Sequence, residues 1–438
     1  MQSISHLIKS RITLYFFALI TISINTITSA SAAVQPGDIF VSVANGIDGN
    51  KGGVLYVDPA TNIHTIISSG GSFVDPMDIT FSQDGSLYVA DFSAAVIKVD
   101  PDTGAQTVIA SGAPLSKPAG ITVDNDGTLL VADNISRIIR IDPVTGVQTV
   151  VSIGGLLDRP NGIAVDASGN IFVADMAYET VSLFAAGGAV IKIDPVTGDQ
   201  SIVSEHNNFV NPFGLTIDNT GNLYVADFGD FLSNDLDGLI IKVDQSTGGQ
   251  SIISSADFRS PSNIALENDG SILVADRNYL SCNTNFGGVT RLDPATASQT
   301  ALTPCGNFVD VSGVTVVPGP NTIDVSIDIK PGSNPNCFNI NGNGVIPVAI
   351  LGSNILNTSL IKTDDTLSFN GLSVRVRGKK GPLCNYGNSN GDAYLDLICH
   401  FEDDTSQWIE GNNTTATLLG ELTDGTLIEG TDSICVTP

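Results

Sequence analysis

Apolar and polar residues alternate along the chain in a phrase that returns every 42 to 52 residues. Its clearest copy runs from Pro118 to Asp133 and is followed by apolar runs at 138–141 and 148–152. Alternation with a period of two predicts β-strands, and the Asp-Gly and Asp-Pro-x-Thr-Gly segments between the runs predict tight turns, the first of them two-residue hairpins. Repeats of this length with four strand-like runs are typical of propeller blades.

The first copy of the phrase is incomplete, because Gly37-Asp-Ile-Phe-Val matches the second strand and not the first. The missing first strand reappears as Ser312-Gly-Val-Thr-Val-Val317. We therefore expect the two ends to share one blade, which counts six blades and leaves no open sheet edge. The five complete copies start at Met77, Ala119, Asn161, Phe213 and Ser262.

A second all-β region follows Pro318-Gly-Pro320. Between residues 323 and 436, seven or eight short strand-like runs alternate with Gly, Asn and Asp turns, which predicts a β-sandwich. The predicted fold is all-β: a six-bladed β-propeller over residues 33–319, followed by a small β-sandwich over residues 320–438.

Residues 1–32 have the pattern of a secretory signal peptide: a basic start with Lys9 and Arg11, an apolar core over 14–24, and the cleavage signal Ala30-Ser31-Ala32. The alternative is a retained membrane anchor. No other apolar stretch approaches the length of a membrane span. We expect a secreted protein, either extracellular or periplasmic.

Six cysteines follow the signal peptide, and an even number in a secreted chain predicts disulfides. Cys282 and Cys305 lie in one repeat and are expected to pair. The other four lie in the last third of the chain, where we expect Cys337 to pair with Cys384 and Cys399 with Cys435.

The formal net charge of −27 repels phosphates, so nucleic acid is not expected as a partner. The acidic residues are scattered Asp side chains in turns, which favours a role in solubility over the alternative, attraction of Ca²⁺ or a cationic partner.

The Pro-x-Gly-Ile and Asp-Gly-x-Leu-Tyr-Val-Ala-Asp phrases resemble the NHL-repeat propellers and, more distantly, the gluconolactonase and senescence-marker-protein propellers. The resemblance covers residues 37–319 and implies the fold more than an activity. In the gluconolactonase type, a Glu, an Asn and an Asp hold a metal ion in the central channel. Asn161 matches the family's Pro-Asn-Gly position and Asn263 is its nearest equivalent, but the first blade lacks the Glu.

Insertions of unequal length follow the repeated Val-Ala-Asp of blades four to six, after Asp175, Asp227 and Asp276. Insertions on one face of a repeat protein indicate its binding face. The aromatic residues of these insertions either contact a ligand or pack the loops onto the blades. The insertion after Asp227 is rich in Asp and either holds Ca²⁺ or is a solvated acidic loop. The residues concerned are Tyr178, Phe184, Phe228, Phe231, Tyr279 and Phe286, with Asp230, Asp235 and Asp237 in the acidic loop.

The repeated Asp has two interpretations. Its carboxylate accepts backbone hydrogen bonds at the strand end, or several such carboxylates bind a divalent cation at the channel mouth. The candidate ligand-binding residues are therefore Asn161, Asp175, Asp227, Asn263 and Asp276.

The C-terminal region contains phrases, such as Ile327-Asp-Ile-Lys-Pro-Gly-Ser333, that resemble an uncharacterised module of secreted microbial proteins. Its segment 388–396 looks like a calcium loop, although it lacks the usual Gly and the bidentate Glu; an ordered Asn/Asp turn is the alternative. The candidate Ca²⁺ ligands are Asn388, Asn390, Asp392, Tyr394 and Asp396.

Catalytic spacings are scarce in this sequence. His206 beside Glu205 could act as a general base, but a surface histidine is the plainer interpretation. The leading hypothesis is a propeller that binds an unknown protein, glycan or small molecule through the face with the long loops. The alternatives are a metal-assisted lactonase or lyase at the channel mouth, and a purely structural surface protein.

Overall fold

The computed structural model describes residues 34–44, 52–176, 187–229, 238–254, 258–277, 287–303, 310–319, 322–333, 336–339, 344–353, 356–364, 366–403, 411–423 and 425–437. The predicted signal peptide, Cys282, Cys305 and most of the three long insertions lie outside the described residues.

The described residues between 39 and 316 form six four-stranded antiparallel sheets. In chain order their strands are β1 (Ile39–Val43), β2 (Gly53–Val57), β3 (His64–Ser69), β4 (Pro76–Phe81), β5 (Leu87–Asp91), β6 (Ala95–Val99), β7 (Gln106–Ser111), β8 (Pro118–Val123), β9 (Leu129–Asp133), β10 (Arg137–Ile141), β11 (Gln148–Ile153), β12 (Pro160–Val165), β13 (Ile171–Asp175), β14 (Ala189–Ile193), β15 (Gln200–Glu205), β16 (Pro212–Ile217), β17 (Asn222–Asp227), β18 (Leu239–Asp244), β19 (Gln250–Ser254), β20 (Pro261–Leu266), β21 (Ile272–Asp276), β22 (Gly288–Leu292), β23 (Gln299–Ala301) and β24 (Val311–Val316).

The ring is closed as predicted. The first sheet has the order β24-β1-β2-β3, and the others each contain four consecutive strands. Strand β24 pairs antiparallel with β1, with Val316 opposite Ile39 and Thr315 opposite Phe40. The two ends of the propeller therefore share one blade, and β1 has no open edge.

The first strand of each blade lies nearest the axis, and we call these six the inner strands: β4, β8, β12, β16, β20 and β24. Each contacts the inner strands of both neighbouring blades. The third residue of an inner strand is glycine in four blades, because a Cβ there would collide with the next strand; on Gly120 it would lie 1.9 Å from the Asn161 carbonyl oxygen. The third residues are Asp78, Gly120, Gly162, Gly214, Asn263 and Gly313.

Neighbouring blades are joined by apolar clusters and by a repeated glutamine. Phe40, Phe73 and Phe81 are buried between the first two blades. On the outer strands, Gln106 Nε2 donates to Ser68 Oγ (2.9 Å) of the preceding blade, and Gln200 and Gln250 donate in the same way to Ser152 and Ser204. These amides connect outer strands that share no β-ladder.

The turns follow the sequence with one correction. Gly85, Gly127 and Gly270 have positive φ, as predicted. The Asp-Gly hairpins are not two-residue turns, however: Ser82 N donates to Ser86 O (2.8 Å), which encloses three residues. The loop therefore consists of Gln83, Asp84 and Gly85. In a three-residue hairpin loop the last residue takes the left-handed conformation, which is why glycine stands last and Asp is the middle residue of the loop.

The C-terminal region contains two sheets. Their strands are β25 (Thr322–Asp324), β26 (Ile327–Ile329), β27 (Cys337–Asn339), β28 (Val345–Ile350), β29 (Ser368–Phe369), β30 (Leu372–Ser373), β31 (Cys384–Gly387), β32 (Asp396–Glu402), β33 (Gly411–Glu421) and β34 (Leu427–Thr437). One sheet has the order β25-β34-β33-β29-β30, with β27 also on β34, and the other has the order β26-β28-β32-β31. A shared apolar core containing Phe369 and Phe401 joins residues of both sheets. Within the described ranges the helical segments are two 3₁₀ turns, Thr358–Leu360 and Gly378–Lys380, and none is long and apolar enough to cross a membrane.

The predicted C-terminal disulfides were wrong. The structure pairs Cys337 with Cys435 and Cys384 with Cys399. Strand pairing explains this: Cys337 lies opposite Cys435 in the β27–β34 ladder, and Cys384 lies opposite Cys399 in the β31–β32 ladder. Strands β27 and β31 were not among the strands predicted from the sequence, so these neighbours were not apparent. The Cys282–Cys305 pair stays a prediction.

Gly313 offers a test of the close packing at the ring closure. A Cβ on Gly313 would lie 2.6 Å from Ser42 Oγ and 2.9 Å from the Asp78 Cα, so Gly313→Ala should destabilise the protein by about 1–3 kcal/mol through overpacking. Urea unfolding measures this loss. Gly344→Ala is the control, since its Cβ would meet nothing closer than 3.7 Å. Equal unfolding midpoints for the two variants would contradict close packing at Gly313.

Candidate functional site

A cavity of about 740 Å³ occupies the axis of the propeller. Its walls are the inner strands from their third residues onward, and its rim is formed by hairpin residues such as Gln83, Asn125, Asp126 and Asn268. No residue at the opposite ends of the inner strands lines it. The cavity therefore opens on the face that carries the Asp-Gly hairpins, and not on the face that carries the long insertions.

The inner end of the cavity is formed by two polar side chains in the ring of glycines, Asp78 and Asn263. Asn263 Nδ2 donates to Asp78 Oδ1 (2.9 Å), and Asn263 Oδ1 accepts from Val314 N (3.1 Å). Asp78 Oδ1 also accepts from its neighbour Ile79 N (2.7 Å), and Oδ2 accepts from Ile121 N (2.8 Å). The pair thereby links four blades across the closing strand β24.

Burial raises the pKa of Asp78 to about 7, against the hydrogen bonds it accepts, which lower it. The side chain is 6% exposed. Asp78 was not among the predicted site residues, although the sequence contains a signal: Met77-Asp78-Ile79 carries Asp where four other blades carry Gly. Asn263 was predicted as the nearest equivalent of Asn161, but it is the third residue of its inner strand, whereas Asn161 is the second, and it bonds to Asp78.

The other end of the channel is covered by Arg277. One guanidinium nitrogen lies 3.5 Å from Met77 Sδ, and the guanidinium carbon lies 5.6 Å from the centre of the Phe213 ring. Met77 and Phe213 are the second residues of β4 and β16, which are on opposite sides of the six-membered ring. The guanidinium group therefore lies across the axis, and it forms an ion pair with Asp310 (3.3 Å).

Asn161 is buried, and both ends of its amide have protein partners. Its Nδ2 donates to the Arg159 carbonyl (3.0 Å), and its Oδ1 accepts from Asn134 Nδ2 (3.2 Å). These contacts hold the entry to β12.

The repeated Asp is fully buried in all five blades and accepts backbone hydrogen bonds from the loop entering the inner strand. Asp175 accepts from Asp158 N (2.9 Å) and Arg159 N (3.1 Å), and Asp276 accepts from Arg259 N and Ser260 N (both 2.9 Å). Asp227 makes equivalent bonds and a third with Gly229 N (2.9 Å). This geometry supports the structural interpretation of the repeat.

The segment 388–396 folds back on its own backbone. Asn388 Oδ1 accepts from Gly391 N (2.6 Å) and Asp392 Oδ1 accepts from Tyr394 N (2.7 Å). Buried Asp396 accepts from Ser389 Oγ (2.5 Å), Ser389 N (2.6 Å) and Gly352 N (3.0 Å). Desolvation is the largest single influence and raises the pKa of Asp396, but the hydrogen bonds, that of the Ser389 side chain first, together hold the pKa below its usual value. Ca²⁺ binding here stays a prediction, for which thermal melting with and without Ca²⁺ is the measurement.

Most of the long insertions, at 177–186, 230–237 and 278–286, lie outside the described residues. Phe228 is the exception: it is buried and its ring packs 5.6 Å from that of Phe213. His206 is partly exposed and lies 3.6 Å from Glu205.

The sheets and the axial channel define a six-bladed β-propeller. Residues 76–307 match the family model described as SMP-30/Gluconolactonase/LRE-like region, which spans more than half of the chain. The chain belongs to this family.

Among solved structures, the chain is similar to one titled "Crystal structure of Nidogen/Laminin Complex", with a TM-score of 0.50 and 17% identity over 65% of this chain and 98% of that one. At this identity the likeness shows the fold alone. Comparison with curated proteins gives no match.

The role of the repeated Asp can be tested at Asp175. Asp175→Ala leaves two backbone N–H groups without their acceptor and should cost about 2 kcal/mol or more in the free energy of unfolding. Urea unfolding measures it against Asp199→Asn, which changes an exposed carboxylate of the same blade. If Asp175→Ala unfolded like the control, the carboxylate would not be structural.

The pH dependence of stability should follow the buried carboxyls. Burial raises the pKa of Asp78 to about 7 and that of Asp227 to about 6, so their contribution is complete below about pH 4 and is lost as pH rises through these values. Turn residues such as Asp142 and Asp194 have pKa values lowered by backbone hydrogen bonds, and their contribution is lost on acidification.

The melting temperature is therefore expected to fall between pH 5 and pH 8, and Asp78→Asn should flatten this slope while Asp84→Asn should not. Calorimetry over this range measures it. An unchanged slope in Asp78→Asn would refute the assignment to Asp78.

Proposed function

We propose that the propeller is a binding module whose partner docks on the face that carries the long insertions, at the Val-Ala-Asp ends of the sheets. The single observation that carries this proposal is that the polar side chains at this end of the channel are hydrogen-bonded to other parts of the propeller and stabilise its fold. Asn161, Asp175, Asp227 and Asp276 all have backbone or amide partners. Binding needs a surface, whereas catalysis needs free functional groups.

Metal-assisted lactone hydrolysis is the competing function, because gluconolactonase appears in the family description. The residues do not fit the metal that this chemistry needs. The described residues include no group of three or more His, Cys, Asp or Glu that could hold an ion. The second residues of the inner strands, which surround the axis beside Arg277, are Met77, Ala119, Asn161, Phe213, Ser262 and Ser312. A guanidinium group across this end of the channel also opposes a cation there.

The described part of the same face has the composition of a docking surface. Val74 (63% exposed), Val210 (44%) and Ile135 (38%) lie on the loops at this end. Lys117 stands over the Phe92 ring at 5.3 Å, as Arg277 does over Phe213. Exposed apolar side chains beside aromatic residues and arginine are typical of protein interfaces.

A protein partner is the form of the proposal that these contacts favour, and glycans and small molecules are the alternatives. The similar solved structure comes from a complex between two proteins, nidogen and laminin, which agrees with a propeller used for assembly. Secretion, predicted from residues 1–32, would place the partner outside the cytoplasm.

Surface variants of the full chain test the proposed face. Binding to an array of extracellular proteins and glycans should be weakened at least tenfold, about 1.4 kcal/mol, by Val210→Asp and Lys117→Glu. The matched controls are Val196→Asp and Lys98→Glu on the opposite face, where Val196 is 91% exposed.

Two outcomes would contradict the proposal. One is that the controls weaken binding as much as the test variants. The other is turnover of gluconolactone with an added divalent cation that is lost in Asn161→Ala.

A further inference from the structure

The axial cavity opens on the face opposite the proposed docking surface, so it requires a separate explanation. A volume of about 740 Å³ is within the usual range for small-molecule sites of roughly 300–1,000 Å³. The lining is mixed: apolar residues such as Leu215 and Leu266 alternate with the hydroxyl-bearing Thr80, Thr122 and Thr216. The closed inner end carries a single buried carboxyl group, that of Asp78.

Asp78 retains one acceptor position. Its Oδ1 already accepts two hydrogen bonds, but its Oδ2 accepts only the one from Ile121 N among the described residues. A carboxylate oxygen has room for two. No cation among the described residues forms an ion pair with Asp78, and its pKa is set by burial and hydrogen bonds. A ligand cation at this end would both fill the free position and neutralise a buried charge.

The charge around the opening favours the same kind of ligand. Hairpins and turns on this face carry many more carboxylates than cations. The carboxylates are Asp58, Asp84, Asp100, Asp102, Asp124, Asp126, Asp142, Asp166, Asp194, Asp199, Asp218, Asp244, Glu267, Asp269 and Asp293; the cations are Lys98, Arg140, Lys192, Lys242 and Arg291. A mouth of one sign raises the local concentration of ligands of the opposite sign.

An organic cation fits the inner end better than a metal ion. Ca²⁺ takes six to eight oxygen ligands, usually including several carboxylates. Here one carboxylate is present, and two of its three hydrogen bonds come from backbone N–H groups, that of Ile79 on its own strand and that of Ile121 on the neighbouring strand β8. An ammonium group needs only a few acceptors, and the carboxylate with threonine hydroxyls and strand carbonyls can supply them.

We propose that the axial cavity is a binding site for a small organic cation with a primary ammonium group, which enters from the hairpin face and places the ammonium against Asp78 and its apolar chain along the inner strands. At the rim, Asp124 and Asp126 would attract the cation as it enters, and Arg140 is ion-paired with both of them.

Calorimetric titration of the full chain with n-butylammonium chloride tests this site at pH 8 and low salt, where Asp78 is mostly ionised. We expect saturable binding of one equivalent and a rise in melting temperature. The probes for comparison are n-butanol, sodium butyrate and CaCl₂ alone. Equal binding of n-butanol, or displacement of n-butylammonium by Ca²⁺, would overturn the proposal.

Asp78→Asn should weaken n-butylammonium binding at least tenfold, whereas Asp84→Asn, which removes a charge from the same face but does not line the cavity, should leave it within twofold. A second variant covers the case in which Asp78→Asn does not fold: Thr122→Lys introduces an ammonium group into the cavity wall and should abolish binding. Undiminished binding in a folded Asp78→Asn or Thr122→Lys variant would refute the site. If variants of the opposite face lost partner binding while n-butylammonium binding stayed unchanged, the result would bear on the proposed docking face and would leave the cavity site standing.

Discussion

The close approach of six strands at one axis is the constraint on which the propeller depends. At the third residue of each inner strand the backbones are so close that four blades use glycine, and Gly120 would collide with the Asn161 carbonyl if it carried a Cβ. The two exceptions, Asp78 and Asn263, flank the closing strand and bond to each other. The same ring thus fixes the blade spacing, narrows the channel and supplies the polar end of the cavity.

This constraint also separates the two faces. On one side of the ring Arg277, Met77 and Phe213 cover the axis. On the other side a cavity opens among acidic hairpins. The buried Asp78–Asn263 pair lies between the two faces, so the partner and the small ligand that we propose would not compete for the same residues.

The fold could be predicted from the sequence because the strands and turns of each repeat are visible in its local pattern of apolar, Asp and Gly residues. The Val-Ala-Asp runs and the glycines with positive φ have local causes, and the split blade follows from matching Phe40 and Val316 to the same repeat. The site was less predictable. Asp78 accepts hydrogen bonds from Asn263 and Ile121, which are distant from it in sequence. Its burial depends on the packing of all six inner strands. The disulfides failed for a related reason, because Cys337 and Cys435 are brought together by the parallel β27–β34 pairing of short strands with no clear alternation.

Closure by β24 has a consequence for the order in which the molecule can be built. Strand β1 lies near the start of the described chain, but its partner ends at Val316. During synthesis, which proceeds from the N-terminus, β1 keeps an unpaired edge from the end of β1 at Val43 until the chain has been made as far as Val316. An unpaired sheet edge is a template for pairing with other chains, so a chain that stops before β24 would keep an aggregation-prone edge that the finished ring lacks.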